Sequence, residues 1–195
     1  MLDALRARTE TFAGAFGWVD RTPGLDTGGR VWQVQRITAD FTQVLGVVPL
    51  LGSALDRDGI DAAVPGLLLS DRSWREWLHA DPAAIGQPLR IGRVDYRVVG
   101  VMPPGFAWPD TEVHAWTPYQ STADERAVDE GGGFGIFHVS ARLADGVNLT
   151  QARQALTQVL RRARNSNLHL TDGSVLADVR PWRESLSAGF LQQLW

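Results

Sequence analysis

The sequence predicts a folded protein of the mixed α/β (α+β) class, and three observations support this. Near the C-terminus the pattern is strand, helix, strand, over residues 137–143, 149–164 and 175–179. Two short β-prone runs, Pro88–Ile91 and Val94–Val101, flank a Gly-Arg turn and predict a hairpin. The composition, with 44% apolar and 21% charged residues, is that of a globular chain. We therefore expect antiparallel or mixed strand pairing rather than an all-helical fold or a purely parallel sheet.

The N-terminal quarter is predicted to alternate short helices and strands. Helical periodicity over Leu2–Phe12 indicates a first helix, and a short strand over Ala15–Asp20 follows. The β-branched residues of Val31–Thr38 predict a second strand. A short helix over Asp40–Leu45 should end at Gly46, because glycine readily adopts the left-handed conformation that closes a helix.

The middle of the chain is predicted to hold a buried strand followed by an amphipathic helix. Val64–Leu69 is a continuous apolar run of strand length. Ser70 or Asp71 is placed to cap the helix that follows. The apolar residues of that helix share one face: Trp74, Trp77 and Leu78. A further short strand is predicted over Val113–Thr117.

The C-terminal helix has clear local signals at both of its ends. Asn148 can cap its first turn, and Gln151 three residues later completes a capping box. Its last turn carries Arg161, Arg162 and Arg164, and the helix dipole favours cations there.

Two absent residue types exclude several chemistries. All 19 basic residues are arginine, and the chain has no lysine and no cysteine. Without lysine it cannot form a P-loop ATP site or a Schiff base. Without cysteine it has no thiol nucleophile, cysteine-ligated zinc or disulfide. The 22 acidic residues give a formal charge of -3, which argues against nucleic-acid binding.

No catalytic, cofactor or metal site is predicted. The four histidines are His79, His114, His138 and His169, and neighbouring ones are at least 24 residues apart. Sequence-local metal sites usually show close-spaced ligands. The chain also lacks the Gly-x-Ser-x-Gly elbow of a nucleophilic serine.

The best internal linker is the stretch over residues 121–133, which is acidic and then rich in glycine. The candidate hinge residues within and just after it are Gly131, Gly132, Gly133 and Gly135. Glycine has unusually broad backbone freedom, so this segment should open at low free-energy cost.

The chain has eight tryptophans, and these leave open a second hypothesis of function, because exposed tryptophans can bind a ligand or a partner. Pattern alone cannot assign four of them to the core or the surface: Trp32, Trp108, Trp116 and Trp182. The longest nearly apolar stretch, Val44–Leu51, is far shorter than the roughly 20 residues of a transmembrane helix. The chain opens directly in a helical pattern, and it stops on the apolar-studded stretch over residues 190–195 without a helix or strand terminator. We therefore expect it to be a piece of a longer protein.

Several stretches of the chain together resemble one known family, the MacB-like periplasmic core domain. Residues 40–52, DFTQVLGVVPLLG, resemble its N-F-F-x-V-L-G-V-x-P-x-L-G segment. Residues 69–74 and 81–91 resemble its L-S-x-x-x-W and D-P-x-x-x-G-x-x-L-x-L motifs. Residues 96–106, YRVVGVMPPGF, and 143–153, LADGVNLTQAR, are similar to two further motifs. The order and spacing hold over nearly the whole chain, with small departures such as serine for arginine at position 53.

This resemblance implies the extracytoplasmic domain of an FtsX/MacB-type ABC transporter permease. In that family the domain is non-catalytic and is inserted between the first two transmembrane helices, on the periplasmic or extracytoplasmic face of the inner (cell) membrane. The implied partners are the permease's transmembrane helices, its cytoplasmic ATPase and a periplasmic or outer-membrane protein. The resemblance also allows a dimer in the full transporter, and it implies no cofactor and no nucleic acid.

The implied architecture has two parts and a mechanical role. We expect a porter-like subdomain formed by residues 1–50 and 134–195, an inserted mixed α/β subdomain over 51–120, and a linker over 121–133. Such a domain transmits ATP-driven transmembrane motion to a substrate or partner outside the membrane, which requires rigid pieces around a hinge. The alternative is a stand-alone extracytoplasmic module that binds carbohydrate or peptide through exposed tryptophans.

Overall fold

The computed structural model of the chain describes residues 2–19, 25–55, 64–119 and 137–165. Within these ranges the α-helices are α1 (Leu2–Arg6), α2 (Phe41–Leu45), α3 (Asp71–Leu78) and α4 (Leu149–Asn165). The strands are β1 (Phe12–Val19), β2 (Leu25–Thr27), β3 (Arg30–Trp32), β4 (Val34–Ile37), β5 (Leu51–Gly52), β6 (Gly66–Leu69), β7 (Pro88–Ile91), β8 (Val94–Val101), β9 (Ala115–Pro118) and β10 (Phe137–Leu143).

Eight of the described strands form one mixed sheet, in the order β10–β1–β4–β9–β6–β8–β5, with β7 also paired to β8. The β4–β9 and β6–β8 pairs are parallel, and the other pairs in this sheet are antiparallel. Strands β2 and β3 form a separate hairpin. This architecture confirms the predicted α/β (α+β) class.

Most of the elements that are predicted from helix caps or turn residues lie where the sequence predicts them. The β7–β8 hairpin turns at Gly92, and α3 begins after Ser70, whose hydroxyl accepts a hydrogen bond from the Ser73 amide. Helix α2 ends at Gly46, with φ 71° and ψ 32°. The capping box of α4 is present in full, because the Asn148 and Gln151 side chains each accept the other residue's backbone N–H.

Two predictions were wrong in their extent. The predicted helix over Leu2–Phe12 ends at Arg6, because Phe12 and the residues after it pair with β10 and this pairing overrides helical periodicity. The predicted strand over Val31–Thr38 is broken at Gln33. The backbone N–H of Gln33 donates to His114 Nδ1, and its carbonyl accepts from the His114 amide. Residues before the break therefore pair with β2 and residues after it with β9.

Three apolar clusters stabilise the sheet. The first lies on one face, under α2, and contains Phe16, Ile37, Phe41, Leu68, Met102, Trp108 and Trp116 among others. The second lies on the opposite face, under α3, and includes Trp32, Leu67, Leu69, Trp74, Tyr96 and Val98. The third joins α1 and α4 to β1 and β10 through Leu5, Phe12, Ala15, Ala152, Ala155 and Val159. Both faces of β6 are therefore buried, as its continuous apolar run predicts.

The sheet is continuous through strands from both predicted subdomains, because β4 pairs with β9 along four residue pairs. The subdomain bounds at 1–50, 134–195 and 51–120 stay a prediction. The strand predicted over 175–179 and the linker over 121–133 lie outside the described residues. Among the residues that are described, no helix is long and apolar enough to cross a membrane.

Candidate functional site

The strand pairing within the sheet is shortest between β1 and β4, which share a single residue pair, Trp18 with Ile37. By contrast, β1 pairs with β10 along its whole length, from Phe12 to Val19. We call residues 2–19 and 137–165 the outer unit and residues 25–55 and 64–119 the central sheet. We call the contact of Gly17 and Trp18 with Ile37 and Thr38 the β1–β4 joint.

The backbone at the joint is completed by a threonine side chain. The Thr38 amide donates to the Gly17 carbonyl at 2.8 Å, and the Gly17 amide donates to Thr38 Oγ1 at 3.0 Å. Beside it, the buried Gln35 side chain donates to the Val19 carbonyl at 2.6 Å. Side chains therefore provide much of the hydrogen bonding that a longer strand pairing would supply.

Two arginines of the outer unit also reach across to the central sheet. Arg6 of α1 forms an ion pair with Asp40, the residue before α2, and within the outer unit it also donates to the Ala15 carbonyl. Arg142 of β10 donates from Nε to the Val44 carbonyl at 2.7 Å, at the C-terminal end of α2. Carbonyls at a helix C-terminus lack intrahelical partners and attract cations, so α2 is held to the outer unit at its end.

An aromatic layer fills the same boundary. Phe16 of β1 contacts Trp108 of the central sheet edge-to-face at 5.1 Å between ring centroids. Trp18 also contacts Trp108 edge-to-face at 5.4 Å, and it stacks on the His138 ring at 4.0 Å. Trp18 Nε1 donates to Ser140 Oγ at 3.2 Å. The joint thus combines a few polar contacts with one shared layer of rings.

Away from the joint, the central sheet is held tightly by two glycines. Gly52 has φ +70°, and an added Cβ there would lie 2.2 Å from the Val99 carbonyl oxygen. A Cβ on Gly100 would lie 2.4 Å from the Ser53 carbonyl oxygen. Real Cβ atoms do not come this close to other atoms, so β5 can lie against β8 only because both residues lack side chains. This explains two glycines of the motifs in residues 40–52 and 96–106.

The serine and tryptophan motif anchors α3. Ser70 and Ser73 share a hydrogen bond between their hydroxyls at 2.8 Å, and both residues are buried. Trp74 Nε1 donates to the Asp81 carbonyl at 2.9 Å, while the Asp81 carboxylate accepts from the Ala83 amide at 2.8 Å. The helix and the turn after it are therefore fixed by the residues that recur in the motif.

The described tryptophans are packed rather than presented to solvent. Four are buried: Trp32, Trp74, Trp108 and Trp116. Trp18 and Trp77 are half-buried, and each contacts other rings. Trp182 lies outside the described residues. Among the described residues, then, no exposed tryptophan supports the carbohydrate- or peptide-binding alternative.

The electrostatics of the described residues do not single out a reactive group. Burial raises the pKa of Tyr96, and the Arg36 cation opposes this rise. No group of three or more histidine or acidic side chains able to hold a metal ion occurs in the described ranges. The arrangement holds the outer unit against the central sheet through the β1–β4 joint.

The sequence-predicted hinge residues Gly131, Gly132, Gly133 and Gly135 lie outside the described residues. Sequence reasoning missed the side chains at the joint, chiefly Arg6, Thr38 and Arg142. Each of them stands in an ordinary polar position of its helix, loop or strand, and each finds its partner about 20 to 100 residues away in the chain. A single sequence carries no signal for such pairs.

The fold and the joint define a class of protein: a mixed α/β domain in which a strand–helix unit is attached to a larger sheet through one strand pair, side-chain hydrogen bonds and a shared layer of rings. The chain belongs to the MacB-like periplasmic core domain family, whose model matches residues 1–159. The predicted resemblance is thereby confirmed. A search of curated proteins gives no match.

Three solved structures share the fold. The periplasmic region of MacB from Actinobacillus actinomycetemcomitans has a TM-score of 0.58 and 18% identity, covering 84% of this chain and 73% of its own. A domain of a putative permease from Porphyromonas gingivalis has a TM-score of 0.56 and 15% identity, covering 83% and 69%. The extracellular domain of the noncanonic ABC-type transporter YknZ from Gram-positive bacteria has a TM-score of 0.57 and 10% identity, covering 85% and 83%.

Proposed function

We propose that this chain is a non-catalytic extracytoplasmic domain of an ABC transporter permease and transmits ATP-driven motion to a substrate or partner outside the membrane. The observation that carries the proposal is the family match over residues 1–159. In this role the chain lies on the extracytoplasmic face of the cell membrane. It works with the permease's transmembrane helices, a cytoplasmic ATPase and a periplasmic or outer-membrane protein, and it can dimerise in the full transporter.

Transmission of force needs pieces that are rigid inside and can shift against each other at a boundary. The outer unit has its own apolar cluster between α1, α4 and the β1–β10 pair. The central sheet has the close β5–β8 contact and both faces of β6 buried. Between them lies the β1–β4 joint, with one strand pair, the Thr38 hydrogen bond and a shared layer of rings. We propose that the working boundary lies at this joint, which differs from the predicted bounds because those group residues 25–50 with the outer unit.

Two stretches of chain connect the outer unit to the central sheet: residues 20–24 and residues 120–136. The second contains the candidate hinge Gly131, Gly132, Gly133 and Gly135. A glycine-rich connection between two rigid units allows one to rotate against the other at small backbone cost. This position along the chain supports the hinge role predicted from composition.

Spin labels test the proposed motion directly in the full transporter. The chain has no cysteine, so the introduced cysteines are the only ones among these 195 residues, and any cysteines elsewhere in the transporter are first replaced. Glu76→Cys on α3 and Gln154→Cys on α4 place labels on exposed positions of the central sheet and the outer unit. We expect the distance between them to change when ATP binds. A control pair, Glu76→Cys with Arg93→Cys, lies within the central sheet and should keep its distance.

Substitution of the candidate hinge glycines tests whether motion at this segment is needed for transport. Proline at Gly131, Gly132 and Gly133 should restrict the motion and reduce transport, while alanine at the same positions should reduce it less. The thermal midpoint of the domain should change little in both variants. Unchanged transport in the proline variant would exclude this segment as the hinge, and equal distances in all states would exclude motion at the joint.

A further inference from the structure

Asp40 stands directly before α2 but does not cap that helix. Aspartate is among the preferred N-capping residues, and a capping carboxylate accepts from the backbone N–H two or three residues later, here that of Gln43. The Asp40 side chain makes no capping hydrogen bond, and its backbone is helical, with φ -72° and ψ -6°. Its carboxylate is instead turned toward the outer unit, where it forms an ion pair with Arg6.

Ser70 shows, elsewhere in the same chain, the capping conformation that Asp40 lacks. Ser70 has nearly the same φ, -70°, but an extended ψ of 148°, and its hydroxyl accepts from the Ser73 amide. In both residues the backbone carbonyl accepts the first helical hydrogen bond, from Trp74 and from Val44. One torsion angle, ψ, therefore separates Asp40 from the capping conformation, and both conformations are open to a residue with a side chain.

The β1–β4 joint opposes this rotation of ψ at Asp40. If α2 stays in place, the rotation moves Thr38 and the chain before it. Thr38 exchanges two hydrogen bonds with Gly17 in the joint, and its carbonyl accepts from the Phe41 amide. Arg6 also lies 3.5 Å from Thr38 Oγ1. Capping of α2 by Asp40 and closure of the joint are therefore mutually exclusive.

We propose that Asp40 is a two-position switch at the β1–β4 joint. In the closed position its carboxylate pairs with Arg6 across the joint, and in the open position it accepts from the Gln43 amide and caps α2. A carboxylate on a helix N-terminal amide is also a charge-assisted hydrogen bond, so opening replaces one such contact by another. Asp40 acts here as a positioning residue.

Arg6 is likewise provided for in the open position. Its Nε donates to the Ala15 carbonyl at 3.3 Å, and its Nη1 donates to the Asp3 carboxylate at 3.2 Å. Both of these partners belong to the outer unit, so Arg6 keeps them when that unit moves. This inference rests on the proposed motion at the joint, and it adds a reason why the joint can open at low cost although ionic contacts hold it closed.

Amide hydrogen exchange, followed by NMR on the 195-residue chain, tests the switch. Asp40→Asn removes the charge that pairs with Arg6 but keeps an effective capping oxygen, whereas the matched control Asp40→Ala removes both. Both variants should exchange faster than the wild type at Gly17 and Thr38. We expect this acceleration to be about fivefold larger in Asp40→Asn, because only asparagine can cap the open form, and Gln43 should exchange more slowly there than in Asp40→Ala.

This order of effects separates a switch from a merely structural ion pair. Loss of a structural pair would loosen the joint equally in both variants, or less in the chemically closer Asp40→Asn. Equal or smaller acceleration in Asp40→Asn would therefore overturn the proposal, as would equal exchange at Gln43 in the two variants. A remote control is Arg75→Gln, which removes the ion pair to Asp71 within α3 and should leave these amides at wild-type rates.

A second variant keeps the proposal testable if Asp40→Asn does not fold, which circular dichroism checks. Arg6→Gln leaves the Asp40 carboxylate to cap α2, so Gly17 and Thr38 should exchange faster than in the wild type while Gln43 exchanges more slowly. Unchanged or faster exchange at Gln43 would contradict the switch. Neither nucleotide nor transport enters these measurements, so failure here leaves the proposed function and its spin-label test standing.

Discussion

Replacement of Gly100 by alanine should detach β5 from β8. The added Cβ would lie 2.4 Å from the Ser53 carbonyl oxygen and 2.8 Å from the Leu51 carbonyl oxygen. Leu51 belongs to β5, and Ser53 directly follows it. Ordinary contact begins at about 3.4 Å, so β5 would have to move back by roughly 1 Å. Such a shift breaks the two hydrogen bonds beside the contact. One is Leu50 N–H to the Val101 carbonyl at 2.7 Å, and the other is Ser53 N–H to the Val99 carbonyl at 2.9 Å.

The expected cost follows from these contacts. Two backbone hydrogen bonds contribute about 1 kcal/mol each to stability, and overpacking of a tight contact costs about 1–3 kcal/mol. We therefore expect the free energy of unfolding to fall by about 3–5 kcal/mol. Urea titration followed by circular dichroism measures this loss. Amide hydrogen exchange should show it locally, with faster exchange at Leu50 and Ser53 than at strands of the outer unit.

Gly86→Ala is the matched control, because Gly86 has φ +83° but no heavy atom within 4 Å of an added Cβ. Its cost is the strain of a left-handed alanine alone, about 1–2 kcal/mol. If Gly100→Ala loses less stability than this control, or leaves the exchange at Ser53 unchanged, the close approach of β5 and β8 does not limit the residue at position 100.

Two further predictions concern α3 and the buried tyrosine. Ser70→Ala should lower the free energy of unfolding by about 1 kcal/mol, because the Ser73 amide loses its capping acceptor. Ser70→Thr keeps a hydroxyl at this position and should retain most of that stability. Equal urea midpoints for the wild type and Ser70→Ala would contradict this prediction. The chain has two tyrosines, so in Tyr119→Phe the tyrosinate absorbance reports Tyr96 alone, and its midpoint should lie above the ordinary value of 10.0. The unfolded chain therefore loses the Tyr96 phenol proton at a lower pH than the folded protein does. Stability should fall as the pH rises through about 10 and on to the folded-state pKa. A Tyr96 titration midpoint at or below 10.0 would contradict the prediction.

Features whose hydrogen bonds close within a few residues could be read from the sequence. The Ser70 cap, the glycine that ends α2 and the Asn148–Gln151 capping box each depend on atoms three or four residues apart. The hairpin at Gly92 is equally local. In these places the residue type fixes the backbone geometry directly, so pattern and structure agree.

The pairing that positions the candidate site could not be read in this way. Strand β4 lies beside β9, about 80 residues later in the chain, and the β-branched pattern is equally compatible with other neighbours. The break at Gln33 arises because His114 of another segment takes its backbone N–H and C=O. The contacts of Arg6 and Arg142 at the boundary likewise join distant parts of the chain.

The sequence by itself determined the class of the fold, most elements, the absence of lysine and cysteine chemistry, and the family, whose motifs recur in order along the chain. Only the tertiary structure decided that the tryptophans described are packed, that Gly52 and Gly100 admit β5 against β8, and that β1 meets β4 at one residue pair. The physical reason is that periodicity and caps reflect forces within one or two turns of chain. Strand order, close backbone approach and the width of a joint depend on which distant surfaces exclude water together.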